Sequence, residues 1–346
     1  MSDEIHECLD DAACLGDDGS TDEEEIPYQC AKGHSGNLCT KCIEEDGKQF
    51  QRTGDHGCGE CIAGWLNALR ILGLLLLIAV FFIGVIFSNM RTKKDSTSSI
   101  LMRIMTNYVQ IVTSAASFNL TFPRSIQSFF DTVKTVGESA KVFLSLDCFI
   151  TDFGMVQATD TTEYFKALIT ALLPLFFLLL TVIFWFIMKF ILRHNWKKMR
   201  NNMVLTMVIC MFMVHPTITG MAAGLFNCYE IDEGETWLYK ELSLKCWNNE
   251  HKMWALGLGI PMLIAWVAGL PFVGFLLVRH NKAKLDDQDV IFKYRFLYQG
   301  YKTTSYYWEF INIFRKVAMV LINTFLAIYP PIYKVSPIDV RLLSQH

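Results

Sequence analysis

The chain has 346 residues, 52% of them hydrophobic, a net charge of −3 and a mean hydropathy of +0.29. Its charges cluster between long apolar runs, which excludes an ordinary soluble domain and marks a polytopic membrane protein. The two signs of charge are separated by compartment, so the net charge says nothing about nucleic acid, and no nucleic-acid partner is expected.

Through Glu25 the chain carries eleven acidic residues and no Lys or Arg. Residues 1–26 therefore read as a flexible, solvated acidic arm, without the spacing of a calcium-binding EF-hand and without a signal-peptide pattern. Two readings of this opening follow. Either the first span is a reverse signal-anchor, or the chain begins inside a longer ectodomain, and the second is preferred.

Seven of the eleven cysteines precede Ala63. Residues 27–63 form a cysteine-rich module in which Cys30, Cys39, Cys42, Cys58 and Cys61 are disulfide candidates. Cys39-Thr-Lys-Cys42 and Cys58-Gly-Glu-Cys61 also fit a zinc ribbon. Disulfides are favoured over zinc because a location outside the cell favours oxidation, so no metal site is expected.

The membrane domain is expected over 64–329. Ile71 to Met90 is twenty residues without a charge, and the first span is taken as about 67–90. Arg91, Lys93 and Lys94 follow it, which places the cysteine-rich amino terminus outside. The second span, about 100–122, carries Arg103, Asn107, Gln110 and Ser114 at steps of four and three. These residues share one helical face that must turn toward protein or water. Asn119-Leu-Thr121 is the glycosylation sequon. From Ser125 to Leu146 an apolar stripe at 3.6-residue spacing predicts an amphipathic helix.

The third span is expected at about 164–191 and the fourth at about 203–226. The fourth carries His215-Pro216, with Gly220 and Gly224 at GxxxG spacing. His215 is either functional or a neutral imidazole bonded to a neighbouring helix or to a carbonyl freed by a kink. The outer loop that follows contains Cys228 and Cys246, and a disulfide closing it is expected. The fifth span, about 253–278, holds Pro261 and Pro271. Residues 279–306 read as a solvated, basic inner loop with interfacial aromatics. The sixth span, about 308–329, places Glu309, Asn312 and Lys316 on one face. Residues 330–346 form a tail. The fold class is thus all-α, with about six transmembrane helices behind a small disulfide-rich extracellular module.

Ser145-Leu-Asp147-Cys148, Leu225-Phe-Asn-Cys228 through Leu244-Lys-Cys246, Gly259-Ile-Pro261, Phe296-Leu-Tyr-Gln-Gly300-Tyr301 and Tyr307-Trp308-Glu309 with Arg315-Lys316 recur in this order. On these residues the chain resembles the large multipass proteins of ciliates and other protists. Those proteins join EGF-like or GCC-type cysteine repeats to a TRP-like helical membrane region. The resemblance implies a plasma or ciliary membrane and channel-like activity. Members have longer ectodomains and further spans after the Arg-Lys helix, which implies that this chain is a fragment or a short paralogue.

Two functions compete. The first is a channel-like or receptor-like surface protein, in which Arg103, Asn107, Gln110, Ser114, His215, Glu309, Asn312 and Lys316 form a polar path. The second is an adhesion or structural protein whose cysteine module binds matrix or another extracellular protein. The lipid bilayer is a partner in both, and a homo-oligomer is compatible with both. A transporter would need an inverted repeat, and none is evident. No zinc-hydrolase, GxSxG, P-loop or GxGxxG motif occurs, so no enzyme, no catalytic residues and no cofactor are expected.

Overall fold

The computed structural model describes residues 8–10, 12–15, 30–53, 56–61, 162–192, 195–285, 287–298, 301 and 303–326, with scattered positions in 65–84 and 101–112. The chain forms two compact units. One holds Met1–Leu76, Leu120–Lys166 and Gly224–Ala255, and the other Leu77–Asn119, Ala167–Ala223 and Leu256–His346.

The first unit contains the strands. β1 (His34–Ser35) pairs antiparallel with β2 (Lys41–Cys42), and β3 (Phe50–Thr53) pairs with β4 (Gly57–Glu60). So short a framework buries little apolar surface, and cross-links replace a core. Disulfides join Cys8 to Cys14, Cys30 to Cys39 and Cys42 to Cys58, and Cys61 is disulfide-bonded too. Gly33 takes φ +78°, and a Cβ there would stand 2.4 Å from the Phe50 ring. Only glycine fits that turn.

A second sheet lies in the segment expected to be an outer loop. β5 (Cys228–Asp232), β6 (Glu235–Leu238) and β7 (Glu241–Lys245) form an antiparallel meander in the order β5-β6-β7. Leu242 and Leu244 alternate with exposed or half-buried neighbours, and Gly234 at φ +79° turns the first hairpin. The strands correct the all-α expectation. The signal was present in the period-two pattern and in Asp232-Glu-Gly234, but the surrounding apolar spans obscured it.

Among the described residues three helices are long and apolar enough to cross a membrane: Thr162–Ile191, Trp196–Gly224 and Asn249–His280. They lie in α1 (Thr162–Leu192), α2 (Trp196–Gly224) and α3 (Asn249–His280). At 1.5 Å per residue each rises about 45 Å, more than a hydrocarbon core needs. α1 exposes Leu172, Leu175, Phe176, Leu179, Phe186 and Phe190, whereas α2 is the most enclosed of the three. Trp185 on α1 packs on Met199 of α2, and Ala171 packs with Ile218, Ala222 and Met262.

Six spans are not supported by these residues. The expected sixth span contains α5 (Trp308–Leu326), a helix of 19 residues. Glu309, Arg315 and Lys316 make it too polar to rank with the other three. The first and second expected spans lie mostly outside the described residues. Their described positions, such as Leu72, Leu76 and Val80, and Leu101, Ile104 and Tyr108, are helical and exposed. The amphipathic helix expected at 125–146, most of the acidic arm and the tail lie outside the described residues.

The expected inner loop is also structured. α4 (Gln288–Tyr298) contributes Val290 and Leu297 to a core with Val278, Leu285 and Tyr306. Tyr294, Phe296 and Tyr298 pack against that core. The aromatic run assigned to the membrane interface therefore serves, in part, as the apolar face of an amphipathic helix.

Both membrane prolines of α3 follow a widened turn. Ala255–Gly259 and Leu263–Gly269 are π-helical, and Pro261 and Pro271 come two residues after each. A proline ring clashes with the carbonyl four residues back, and an extra residue in the turn relieves the clash. Gly269 completes the second widened turn: a Cβ there would lie 2.8 Å from the Ile264 carbonyl oxygen.

Candidate functional site

In the first unit the cysteine-rich module is fastened to the three-stranded sheet. Arg52 of β3 places Nη2 2.7 Å from Oε2 of Glu241 on β7. Their side chains are only 14% and 17% exposed, so solvent screens the pair weakly. The same nitrogen donates to the Thr40 carbonyl at 3.2 Å, and Ser243 Oγ donates to Glu241 Oε1 at 2.7 Å. Asn37 Nδ2 donates to the Leu242 carbonyl at 2.9 Å. The Arg52–Glu241 ion pair and the Asn37 side-chain hydrogen bond thus tie the module to a sheet about two hundred residues away in sequence. Sequence analysis missed Asn37, Arg52 and Glu241, because no local pattern pairs residues so far apart.

Two described histidines of this unit, His34 and His251, have both ring nitrogens engaged. Cys58 N–H donates to His34 Nε2 at 2.9 Å, so Nδ1 carries the hydrogen and donates to the Lys32 carbonyl at 3.0 Å. His251 is fully buried. Trp247 N–H donates to its Nδ1 at 3.1 Å, and its Nε2 donates to the Leu225 carbonyl at 3.0 Å. Both rings are therefore single neutral tautomers with no nitrogen free for proton transfer. Asn248 caps α3 by accepting from His251 N–H at 2.6 Å.

Cys228, Cys246 and His251 lie close enough to suggest a metal triad. The donor set does not fit. Cys228 and Cys246 are joined as a disulfide, which offers no thiolate, and His251 has both nitrogens engaged. Likewise the Cys42–Cys58 bond takes one sulfur from each CxxC pair of the alternative zinc ribbon. Among the described residues Cys210 is the free cysteine, and it is buried.

The second unit gathers part of the expected polar path. Lys316 Nζ donates to Asn107 Oδ1 at 2.6 Å. Asn312 Nδ2 donates to the Tyr301 hydroxyl at 2.9 Å, and that hydroxyl donates to Glu309 Oε2 at 3.2 Å. Glu309 is buried at 4% exposure. The structure thus links Asn107 with Lys316, and Glu309 with Asn312 through Tyr301, a residue not assigned to the path from sequence. Arg103, Gln110, Ser114 and the Asn119 sequon lie outside the described residues.

The hydrogen bond of the His215 ring goes to α3 and not to either group. Its Nε2 donates to the Val267 carbonyl on α3 at 3.2 Å. Its own carbonyl accepts from Thr219 Oγ1 at 2.9 Å. Gly220 faces Val320, with 3.6 Å between a built Cβ and the valine methyl. That is an ordinary contact, so glycine is not sterically required there.

Apolar helices of membrane-spanning length together with a disulfide-bonded cysteine-rich module define a surface or membrane protein. Over 136 residues the chain is 26% identical to "Cysteine repeat modular protein A" of Toxoplasma gondii. The match takes in 37% of this chain and 4% of that protein. The chain thus spans a small part of that relative's length. No family model and no solved structure matches the chain.

Proposed function

We propose that this is a receptor-like multipass surface protein, in which the cysteine-rich module reads an extracellular protein or matrix partner and the three-stranded sheet relays its state. The Arg52–Glu241 pair carries this reading. A module that served only as a tethered adhesive would not need a weakly screened ion pair to the segment joining two apolar helices. β7 ends at Lys245, and α3, with its two widened turns, starts at Asn249. A pull on the sheet is thereby directed into the helix whose hydrogen bonding is least regular.

In this reading the module is outside and residues 193–200 and 279–306 are inside. The protein resides in the plasma or ciliary membrane, carries glycan at Asn119, and is not an enzyme. EGF-like character of the module and TRP-like character of the helices belong to the same reading.

The test is hydrogen exchange on the reconstituted full chain. Arg52→Glu and Glu241→Arg, each alone, are expected to raise exchange across 249–269, and the double exchange to restore it. Unchanged exchange in both single variants would remove the relay. A channel-like function is the second reading, favoured by the Lys316–Asn107 bond. It requires conductance from the reconstituted protein that changes with Asn107→Leu while surface expression persists.

A further inference from the structure

We propose that the second unit carries a binding site for a phospholipid with an anionic headgroup, built at the carboxyl-terminal end of α3 and the amino-terminal end of α5. A cleft of about 490 Å³ is lined there by Phe275, Arg279, Tyr306, Tyr307, Phe310 and Phe314. Its wall is aromatic: Phe275 meets Phe310 edge-on at 5.5 Å, and Tyr306 meets Tyr307 at 5.8 Å. Gly274 lets Phe310 approach, since a built Cβ there already lies 3.3 Å from that ring.

One end of this wall is basic. Arg279 is exposed and makes no ion pair among the described residues. Lys282 holds Nζ 5.7 Å from the centre of the Tyr306 ring. The other end is apolar and open, with Ile311 44% and Phe314 73% exposed.

A soluble anion would match the guanidinium but leave the aromatic wall bare, and an uncharged chain would leave Arg279 without a counter-charge. An anionic phospholipid satisfies both ends. Its phosphoryl oxygens accept paired hydrogen bonds from the planar guanidinium, and its glycerol and first acyl carbons lie on the rings. Its net negative charge, which the choline cation cancels in phosphatidylcholine, adds attraction to Arg279 and Lys282. Basic residues flanking a span on the cytoplasmic side are the usual setting for such headgroups. The inference rests on the membrane reading of α1–α3, and it is independent of the receptor relay.

The probes are dioctanoyl phosphatidylserine, dioctanoyl phosphatidylcholine and inorganic phosphate, titrated into the full chain in uncharged micelles with tryptophan fluorescence as the readout. Phosphatidylserine is expected to bind saturably and at least about tenfold more tightly than phosphatidylcholine, one charge-assisted contact being worth roughly that factor. Arg279→Gln should remove the preference, and Arg200→Gln, another exposed basic position, should leave it. Phe314→Ala should weaken the lipid while leaving phosphate unchanged. Equal binding of the two lipids, an intact preference in Arg279→Gln, or phosphate binding as tightly as phosphatidylserine would overturn the site. Failure of the membrane reading would show separately, as protein that does not partition into vesicles.

Discussion

His215 Nε2 donates to the Val267 carbonyl at 3.2 Å, and Val267 stands four residues before Pro271. Proline has no N–H, so in α3 that carbonyl lacks its ordinary donor. The histidine of α2 supplies a donor from the neighbouring helix, and the proline and histidine form one unit. An orphaned carbonyl in an apolar setting costs about 1–3 kcal/mol. His215→Leu is expected to destabilise the protein by about that amount. In a Pro271→Ala background, where residue 271 can donate, the same change should cost clearly less. A double-mutant cycle on thermal unfolding in micelles measures the difference, and equal costs in both backgrounds would refute the coupling.

Gly269 is fixed by the second widened turn. Gly269→Ala places a methyl group 2.8 Å from the Ile264 carbonyl oxygen. The backbone has to shift, at an expected cost of about 1–3 kcal/mol. Gly257→Ala in the first widened turn meets nothing within 4 Å and should be neutral or slightly stabilising. The comparison needs only the unfolding midpoints of the two variants.

Arg52 and Glu241 should behave as a coupled pair. Glu241→Gln keeps a hydrogen-bonding oxygen but removes the charge, and Arg52→Met removes both. Losses of about 1 and 2 kcal/mol are expected, with a coupling energy near 1 kcal/mol in the double variant. Additive losses would mean that the contact contributes nothing to joining the module and the sheet.

The Cys228–Cys246 disulfide closes the segment holding the whole three-stranded sheet, with a sequence separation of 18. Replacing both cysteines by serine is expected to cost about 3 kcal/mol, the loop-closure value for that length. Peptide mapping without reductant should recover the two cysteines as one cross-linked species. Stoichiometric zinc in the purified protein, with both thiols free, would reverse the assignment.

Lys32 and Asp46 form an exposed ion pair in the module. The hydrogen bond from Lys32, then its charge, holds the Asp46 carboxyl below its ordinary value of 3.8, and the same bond raises Lys32 above 10.5. A depressed carboxylate contributes stability that is full above its unfolded pKa and is lost as pH falls through the folded one. The raised ammonium contributes below its unfolded pKa and loses that contribution at high pH. The pair should therefore be neutral to change across mid-range pH and weaken only below about 4 or above about 10. Proteolysis of the 40–53 segment against pH, wild type beside Asp46→Asn, checks the window.

Features encoded by short-range pattern are legible in the amino-acid sequence. Charge-free runs long enough to cross a bilayer stand out in α1 and α3 because lipid selects against charge along every turn. The clustering of cysteines near the amino terminus and the Cys228–Cys246 pair were legible because oxidation needs only proximity and compartment. Pro261 and Pro271 marked places where the fifth span can bend, and the widened turns before them came only with the structure. Which partners those features meet emerges only from the folded chain. It gave Arg52 a carboxylate on β7 and Val267 a donor from His215. It also joined Asn107 to Lys316, and folded the basic segment after α3 into a helix that buries Val290 and Leu297 with half-buried aromatics beside them. Each of these contacts joins residues distant in sequence, and no local periodicity carries the register between elements that meet only once the chain has closed.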